Sequence, residues 1–207
     1  MLKRVFALIP IIFLCTFLVA CSASKKEAVT TETAASTPTE NKKEQRAIQK
    51  KQLQQKQLAY VKNAYETAKL GQLPEIPFTV GTTTYATVKN DWGEPDLAFR
   101  NTANFVQYRV AKKEQIATGL GVGLYQKLYE IRSYVLDDTK TKIESLPSKL
   151  VEKELGKPAQ KDFLGPHQVW YYAANQYTFK VTIQTKEKTV RSVAVYIKTF
   201  DDSKTMQ

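Results

Sequence analysis

The chain has little of what metal sites and nucleophilic enzymes are built from. Its only cysteines are Cys15 and Cys21, so the sequence beyond position 21 can form neither a disulfide nor a cysteine-based metal site. Its only histidine, His167, follows Gly165-Pro166, which predicts a surface loop, and no G-x-S-x-G motif supplies a nucleophile for it. We therefore predict no catalytic residue, no metal site and no cofactor, and a protein that is not an enzyme.

The N-terminus has the anatomy of a lipoprotein signal peptide. Lys3 and Arg4 precede a mostly apolar run of about 15 residues, which is shorter than the roughly 20 that a transmembrane helix needs. Ala20 is followed at once by Cys21. The sequence therefore predicts that residues 1–20 are a signal peptide that is removed, and that the thiol of Cys21 carries a thioether-linked diacylglycerol.

This lipid predicts where the protein resides. Two acyl chains anchor a protein stably, so we expect it at the outer face of the cytoplasmic membrane, with a Gram-positive source favoured by the Lys- and Gln-rich composition. Residues 21–40 are rich in Thr, Ser, Ala and Glu and predict a disordered tether. The location argues against a nucleic-acid partner, although the formal net charge of the chain is +11.

Residues 41–71 predict one long basic helix, because Gly71 is the first glycine and no proline interrupts the segment. Apolar residues at helical spacing occur in its second half, from Leu58 to Ala68, so this half should pack on the domain. The first half should project into solvent. It is either a solvated helix or a segment that binds anionic lipid or wall polyanions.

The rest of the chain contains two copies of one unit, predicted at residues 77–138 and 139–202, with a tail at 203–207. Each copy begins with a short helix that ends in a G-x-P motif, at Gly93 and Gly156, and continues as antiparallel strands. The sequence thus predicts an α+β fold, in which tandem units of short helix plus antiparallel β-sheet follow a long N-terminal helix.

Smaller signals within the units refine this prediction. Thr82 or Thr83 in the first unit, and Ser145 in the second, are N-cap residue types. The alternating glycines of residues 119–123 predict a strand with close backbone contacts, since the spacing is not that of a phosphate-binding loop. Each unit ends in two aspartates, and whether these pairs together bind calcium stays open. The pairs are Asp137-Asp138 and Asp201-Asp202.

These motifs carry a resemblance to known proteins. A short helix, G-x-P and three or four antiparallel strands, twice in tandem, resemble the repeats of β-lactamase inhibitor protein and of the SmpA/OmlA lipoproteins. More closely, the chain resembles the YjgB-type lipoproteins of Gram-positive bacteria, over about residues 60–202. The resemblance implies this fold and a membrane-anchored location, and it implies no catalytic residue because that family is a domain of unknown function. The matching segments are 68–71, 80–95, 129–134 and 155–158.

Aromatic residues give the strongest signal for function. Trp170, Tyr171 and Tyr172 are consecutive on a predicted strand, so at least one of them must face away from the core. Exposed Tyr and Trp on a sheet are typical of partner-binding surfaces or of platforms for sugar rings. The predicted partner surface is Tyr108, Trp170 and Tyr172.

The sequence is compatible with three functions. The first is a non-enzymatic protein-binding or interaction module at the cell surface, which acts through the sheet faces. The second is a binder of cell-wall or lipid polyanions, which acts through the basic helix. The third is a wall or sugar hydrolase, which would need a cleft lined by two carboxylates.

Overall fold

The computed structural model describes residues 38–97, 104–110, 115–134 and 146–201, and within those ranges it contains three α-helices, two short 3₁₀-helices (Leu124–Gln126 and Lys198–Phe200) and seven strands. Cys21, Asp137, Asp138 and Asp202 lie outside the described residues. The helices are α1 (Pro38–Ala68), α2 (Tyr85–Trp92) and α3 (Ser148–Leu155). The strands are β1 (Phe105–Val110), β2 (Gln115–Val122), β3 (Leu128–Ser133), β4 (Gln160–Leu164), β5 (His167–Ala174), β6 (Tyr177–Gln184) and β7 (Thr189–Tyr196).

All seven strands belong to one antiparallel sheet, in the order β1-β2-β3-β7-β6-β5-β4. Strands β1 to β3 and strands β4 to β7 each form a run of hairpins, and the last strands of the two runs pair with each other, with Ile131 opposite Val195. The predicted α+β class with a long N-terminal helix is confirmed. The two predicted units share a continuous sheet, and their predicted boundaries stay predictions.

The second half of α1 packs on the sheet, as its apolar spacing predicts. Val61, Ala64 and Ala68 are fully buried. The ring of Tyr65 lies 5.7 Å from that of Phe179 and 6.3 Å from that of Tyr172, centroid to centroid. Since Phe179 is opposite Val195, which is opposite Ile131, these residues share one face of the sheet. That face carries the main hydrophobic core.

The first half of α1 extends away from the core. Residues 42–52 are all exposed, in agreement with the prediction. At about 1.5 Å per residue, the 19 residues before Gln57 in α1 span roughly 28 Å. None of the helices in the described ranges is long and apolar enough to span a membrane.

The short helices end as predicted, but α2 begins later than predicted. Gly93 and Gly156 have φ of 78° and 82° and ψ of −165° and −174°, a backbone conformation that essentially only glycine adopts. The N-cap of α2 is Thr84 rather than Thr82 or Thr83, because the Thr84 hydroxyl accepts a hydrogen bond from Thr87 N at 3.2 Å. The α3 N-cap is Pro147, which makes no side-chain cap, and Ser145 lies outside the described residues.

The two units make equivalent contacts. The Tyr108 hydroxyl donates to the carbonyl oxygen of Gly93 at 3.1 Å, and the Tyr172 hydroxyl donates to that of Gly156 at 3.3 Å. Each bond ties the end of a short helix to the sheet. The last hairpin of each unit also has a register shift near its turn, between Gly121 and Val122 and between Thr182 and Ile183. The same local geometry therefore occurs twice, with different residues.

The alternating glycines lie in and beside β2, where side chains approach closely, as predicted. A Cβ at Gly121 would lie 2.6 Å from the ring of Tyr129. A Cβ at Gly123 would lie 1.7 Å from the carbonyl oxygen of Phe200. These distances are too short for any side chain, so the close packing here requires glycine.

Tyr60 gives the fold a dependence on alkaline pH. Its hydroxyl donates to Ser133 Oγ at 3.3 Å, and burial raises the pKa of Tyr60 to about 12. Because the folded-state pKa is raised, this contribution to stability is complete below pH 10 and is lost as the pH rises through about 12. Between neutral pH and about pH 11, the free energy of unfolding should fall by about 1 kcal/mol more in wild type than in the Tyr60→Phe variant. Urea unfolding at the two pH values measures this difference.

The Ser133→Ala variant is the control for this experiment. It removes the acceptor of the Tyr60 hydroxyl but keeps the ionisable group, so it should keep the alkaline loss of stability. Equal alkaline loss in wild type and Tyr60→Phe would contradict the assignment to Tyr60.

Candidate functional site

The three aromatic residues of the predicted partner surface lie in the core. Tyr108, Trp170 and Tyr172 are only 9, 5 and 5% exposed. Tyr108 packs against the Trp92 ring at 5.2 Å, and Tyr172 against Tyr65 of α1. The prediction of an exposed surface at these three residues is therefore wrong, because strand alternation turns them toward the helices.

Tyr171, between two buried neighbours, faces the other way. It lies opposite Lys180, which is opposite Ala194, which is opposite Arg132. One aromatic residue of the triplet therefore faces away from the helix-covered core, as the sequence requires. The contacts of all three helices described above are with the other face, and we call this one the helix-free face. Its central residues are Phe105, Tyr129, Glu130, Arg132, Tyr171, Lys180 and Tyr196.

A buried carboxylate organises the centre of the helix-free face. Glu130 is 2% exposed. Its Oε1 accepts a hydrogen bond from Arg132 Nε at 2.8 Å, and its Oε2 lies 2.8 Å from Lys180 Nζ. Both oxygens of the carboxylate are therefore paired with a cation.

The two cations set the ionisation of this carboxylate. Burial alone would raise the pKa of Glu130, but the charges of Arg132 and Lys180 outweigh burial and hold the pKa below its usual range. The same pairing outweighs the burial of Arg132 and raises its pKa. At neutral pH the cluster therefore holds one negative and two positive charges.

Aromatic rings surround this charged cluster. Lys180 Nζ lies 3.4 Å from the centre of the Tyr196 ring, and the Arg132 guanidinium carbon lies 5.2 Å from that of Phe105. Tyr129 makes edge contacts with both rings. The cations are thus held between a carboxylate and ring faces.

The two edges of the sheet differ. At one edge, the outward backbone of β1 is covered, since Gln107 N and Leu97 N each donate to the other residue's carbonyl oxygen, at 2.9 and 3.1 Å. Arg109 N donates to Asp96 Oδ2 at 2.6 Å. At the other edge, all five residues of β4 are exposed, and no described residue pairs with the outer side of this strand. We call the outer side of Gln160–Leu164 the β4 edge.

The side chains of β4 divide into two groups. Lys161 lies 4.3 Å above the Trp170 ring and bonds Glu152 of α3 at 3.2 Å. Asp162 accepts hydrogen bonds from Gln160 at 2.9 and 3.0 Å. Phe163 and Leu164, by contrast, are 72 and 67% exposed. An open strand edge therefore ends in two large apolar side chains in solvent.

His167 is not in a surface loop as predicted. The turn is confined to Gly165-Pro166, and His167 is the half-buried first residue of β5, opposite Gln184. Burial first, and then the charges of Arg191 and Arg132, lower the pKa of His167. The prediction of a turn was correct, but the turn ends at Pro166 and the next strand begins at His167 itself.

The described residues hold no cluster of three or more His, Cys, Asp or Glu side chains that could bind a metal ion. Of the two aspartate pairs, Asp201 is described, and its Oδ2 accepts a hydrogen bond from the Tyr196 hydroxyl at 2.7 Å. Asp201 is therefore engaged in the aromatic cluster on the helix-free face. The other three aspartates of the two pairs lie outside the described ranges.

The sequence analysis missed the β4 edge and the charged cluster. Strand β4 (QKDFL) lacks the alternation of a half-buried strand, and only the apolar Phe163-Leu164 before Gly165-Pro166 hints at a hairpin. The partners of Glu130 come partly from β6, 50 residues away. No local pattern links such residues.

Similar structures support the fold. The crystal structure of a DUF4309 family protein (YjgB) from Bacillus subtilis matches with a TM-score of 0.60 and 20% identity, over 68% of this chain and 97% of that chain. An extracellular protein containing an SCP domain from Bacillus anthracis matches at 10% identity over 65% of this chain and 51% of that chain, with a TM-score of 0.38. The first match shows a shared fold, and no conclusion is drawn from the second.

The comparisons also bear on the family. Comparison with curated proteins gives no match. The family described as a domain of unknown function (DUF4309) matches residues 61–197, from the packed second half of α1 to the end of the sheet. The resemblance to YjgB-type proteins is thereby confirmed, whereas that to β-lactamase inhibitor protein and SmpA/OmlA lipoproteins is not. The chain belongs to the DUF4309 family, a domain of unknown function.

Proposed function

We propose that this protein is a lipid-anchored, non-enzymatic binding module at the outer face of the cytoplasmic membrane, and that it binds a protein partner by adding a strand of the partner to the β4 edge. The observation that carries the proposal is the open β4 edge with exposed Phe163 and Leu164. Proteins usually protect the edges of their sheets, and an exposed edge is a template for an extended peptide.

The opposite edge of the same sheet supports this interpretation. There, the outward groups of Gln107 and Arg109 are bonded to Leu97 and Asp96. Among the described residues, the fold thus covers one edge and pairs no strand with the other. Large exposed apolar residues beside an open edge are typical of interaction sites.

The side chains of β4 specify the chemistry of the partner. Lys161 and Asp162 are turned toward Glu152 and Gln160, so they are already engaged. Phe163 and Leu164 are free to contact the partner, on opposite faces of the sheet. We therefore expect an extended segment with an apolar residue on each face near the Gly165-Pro166 turn.

The proposed anchor fits this role. The signal-peptide pattern before Cys21 supplies a membrane attachment. In the sequence, the exposed first half of α1 lies between Cys21 and the sheet, and we propose that it acts as a spacer. The anchor holds the module where partners at the cell surface are within reach.

Site-specific photo-cross-linking tests the proposal. A photoreactive phenylalanine replaces Phe163 in the full chain in cells, and in a second strain it replaces Tyr125, which is 82% exposed in the β2–β3 connection. We expect one cell-surface protein to be cross-linked from position 163 and not from position 125. The Phe163→Asp variant should weaken binding of that protein by about tenfold or more, since one buried apolar contact is lost and a charge is placed in the interface.

Two results would overturn the proposal. One is cross-linking from position 163 only to a second copy of this chain, which would make the β4 edge a self-association surface. The other is equal binding by wild type and Phe163→Asp. Tyr125→Asp is the matched control, because it places the same charge on an exposed aromatic position away from β4.

A second function is favoured by α1. Residues 42–56 contain six Lys or Arg residues and one Glu, and most of them are exposed. We infer that this segment can bind anionic lipid headgroups as an additional membrane contact. Replacing Lys42, Lys43, Lys50 and Lys51 by Gln should abolish salt-sensitive binding of the unlipidated Cys21→Ser chain to vesicles of anionic lipid. Binding that is insensitive to salt, or unchanged in the variant, would contradict it.

A further inference from the structure

A small cleft of about 130 Å³ lies where α1 and the end of α2 meet the first strands of the sheet. It is on the helix-covered face, because its residue Ser133 follows Ile131 of the core by two positions on β3. Three other strands lie between β3 and β4, so what the cleft binds does not depend on the proposed function. Among the described residues that line it are Tyr60, Glu75, Trp92, Thr118 and Ser133.

Thr118 brings an unpaired hydroxyl to this cleft. The residue is only 7% exposed, and its hydroxyl makes no hydrogen bond with any described residue. Ser133, directly opposite Thr118 on β3, differs, since its Oγ accepts a hydrogen bond from the Tyr60 hydroxyl at 3.3 Å. Buried polar groups in folded proteins are almost always hydrogen-bonded. An unpaired, almost fully buried hydroxyl in the wall of a cleft therefore indicates a polar group that enters the cleft.

Glu75 determines the sign of the charge in the cleft. It is the one residue with a formal charge at neutral pH among the described lining residues, and it is exposed. Burial is the main cause that raises the pKa of Tyr60 to about 12, and the negative charge of Glu75 adds to it. The carboxylate of Glu75 is therefore close enough to act on the Tyr60 hydroxyl, and the cleft favours a cation.

The backbone holds Glu75 at a position where glycine is usual. The turn Leu73–Ile76 is closed by a hydrogen bond from Ile76 N to Leu73 O at 3.3 Å, with Pro74 second and Glu75 third. The φ of Glu75 is 62°. A turn with proline second and a positive φ third is of type II, which favours glycine at the third position. A glutamate there has a backbone cost that glycine would avoid, in agreement with a role for its side chain.

An aromatic ring provides a second feature that suits a cation. Trp92 lines the cleft, and its ring is fixed by Phe78 at 4.7 Å and by Tyr108 at 5.2 Å, centroid to centroid. The faces of aromatic rings attract cations, most strongly for tryptophan. A rigid indole and a carboxylate in one small cleft thus favour the same kind of ligand.

We propose that this cleft binds a primary ammonium group at the end of an alkyl chain. Such a group has three N–H donors, and the cleft has acceptors in the Glu75 carboxylate, the Thr118 hydroxyl and the Tyr60 oxygen, whose own proton is donated to Ser133. One carboxylate is too few for a calcium ion, which takes about six to eight oxygen ligands. A volume of about 130 Å³ is below the roughly 300 Å³ of small-molecule pockets and suits one extended side chain.

The two tryptophans of the chain provide a direct readout. The full-length protein is labelled with ¹⁵N-tryptophan and kept in an uncharged detergent, and a Trp170→Phe sample assigns the indole signal of Trp92. We expect N-acetyl-lysine methylamide to shift this signal in a saturable way. N-acetyl-norleucine methylamide has the same alkyl chain without the amine and should produce no shift. Diaminobutane is titrated in parallel, and the tighter ligand distinguishes a lysine side chain of a protein from a free amine.

Two variants and one control assign the binding to this cleft. Glu75→Gln should bind the lysine derivative at least about tenfold more weakly, because a charge-assisted hydrogen bond becomes a neutral one. Thr118→Val keeps the volume, removes an acceptor and should weaken binding about fivefold. Glu187→Gln is the matched control, since Glu187 is also an exposed glutamate in a turn but does not line this cleft, and it should bind as wild type does.

Three results would overturn the proposal. The first is no saturable shift of the Trp92 signal with either amine, which would assign water to the Thr118 hydroxyl. The second is an equal shift with the norleucine derivative, which would make the cleft an apolar site. The third is equal affinity in wild type and Glu75→Gln. None of these results involves Phe163, so this proposal and the proposed function fail separately.

Discussion

Replacing Glu130 by alanine should lower the free energy of unfolding by about 3–5 kcal/mol, because it leaves two cations without their shared carboxylate. Lys180 Nζ is 2.8 Å from this carboxylate, and its side chain is only 14% exposed. Arg132 bonds the other oxygen. Urea unfolding at neutral pH measures the loss.

The pH dependence of the same variant provides a second readout. Since the pKa of Glu130 is lowered in the folded protein, its contribution to stability is present above the unfolded pKa of about 4.3 and is lost as the pH falls through the folded value. Wild type should therefore lose stability in acid by this route, and Glu130→Ala should not. The control is Glu94→Ala, whose side chain is 76% exposed and pairs with Lys89 at 3.2 Å, and which should cost at most about 0.5 kcal/mol. A similar loss of unfolding free energy in Glu130→Ala and Glu94→Ala would contradict the claim that burial makes the Glu130 ion pairs important for stability.

Replacing Gly71 by alanine should cost about 2–5 kcal/mol, the second large effect. Gly71 has φ of 78°, which alone costs a side chain about 1–2 kcal/mol. A Cβ there would also lie 2.7 Å from the ring of Tyr177, and such overpacking costs about 1–3 kcal/mol more. Thermal or urea unfolding of the variant measures the sum.

Gly93 and Gly156 serve as comparison sites for Gly71, since both have a positive φ but no atom lies within 4 Å of a Cβ built on either. Gly93→Ala and Gly156→Ala should therefore show only the cost of a backbone conformation that favours glycine, about 1–3 kcal/mol. If all three variants lose the same stability, the contact between residue 71 and Tyr177 contributes nothing, and the account of this helix end is wrong.

Local signals in the sequence were sufficient for much of the fold. Apolar spacing from Leu58 to Ala68 predicted which half of α1 packs, and the glycine of each G-x-P motif predicted where α2 and α3 end. These features depend on residues within a few positions of one another. The N-cap at Thr84 instead of Thr82 or Thr83 shows the limit, since three consecutive threonines are chemically equivalent until the turn that precedes the helix is known.

The candidate sites depend on contacts that no local pattern records. Trp170, Tyr171 and Tyr172 were correctly placed on a strand, yet which of them faces the helices depends on register, and a shift of one residue reverses every side chain. The openness of β4 depends on the strand order of the whole sheet. His167 and Arg132 are 35 residues apart and influence each other only through that order.

The central claim is that the β4 edge is an open docking strand. Hydrogen exchange along the two sheet edges tests this claim most directly. The amides of Gln107 and Arg109 are bonded at the covered edge and should exchange slowly in the protein alone. The outward amides of Gln160–Leu164 should exchange fast alone and become protected when the partner captured from position 163 is added. Outward β4 amides that are already protected in the isolated protein, or that stay unprotected in the complex, would contradict strand addition at this edge.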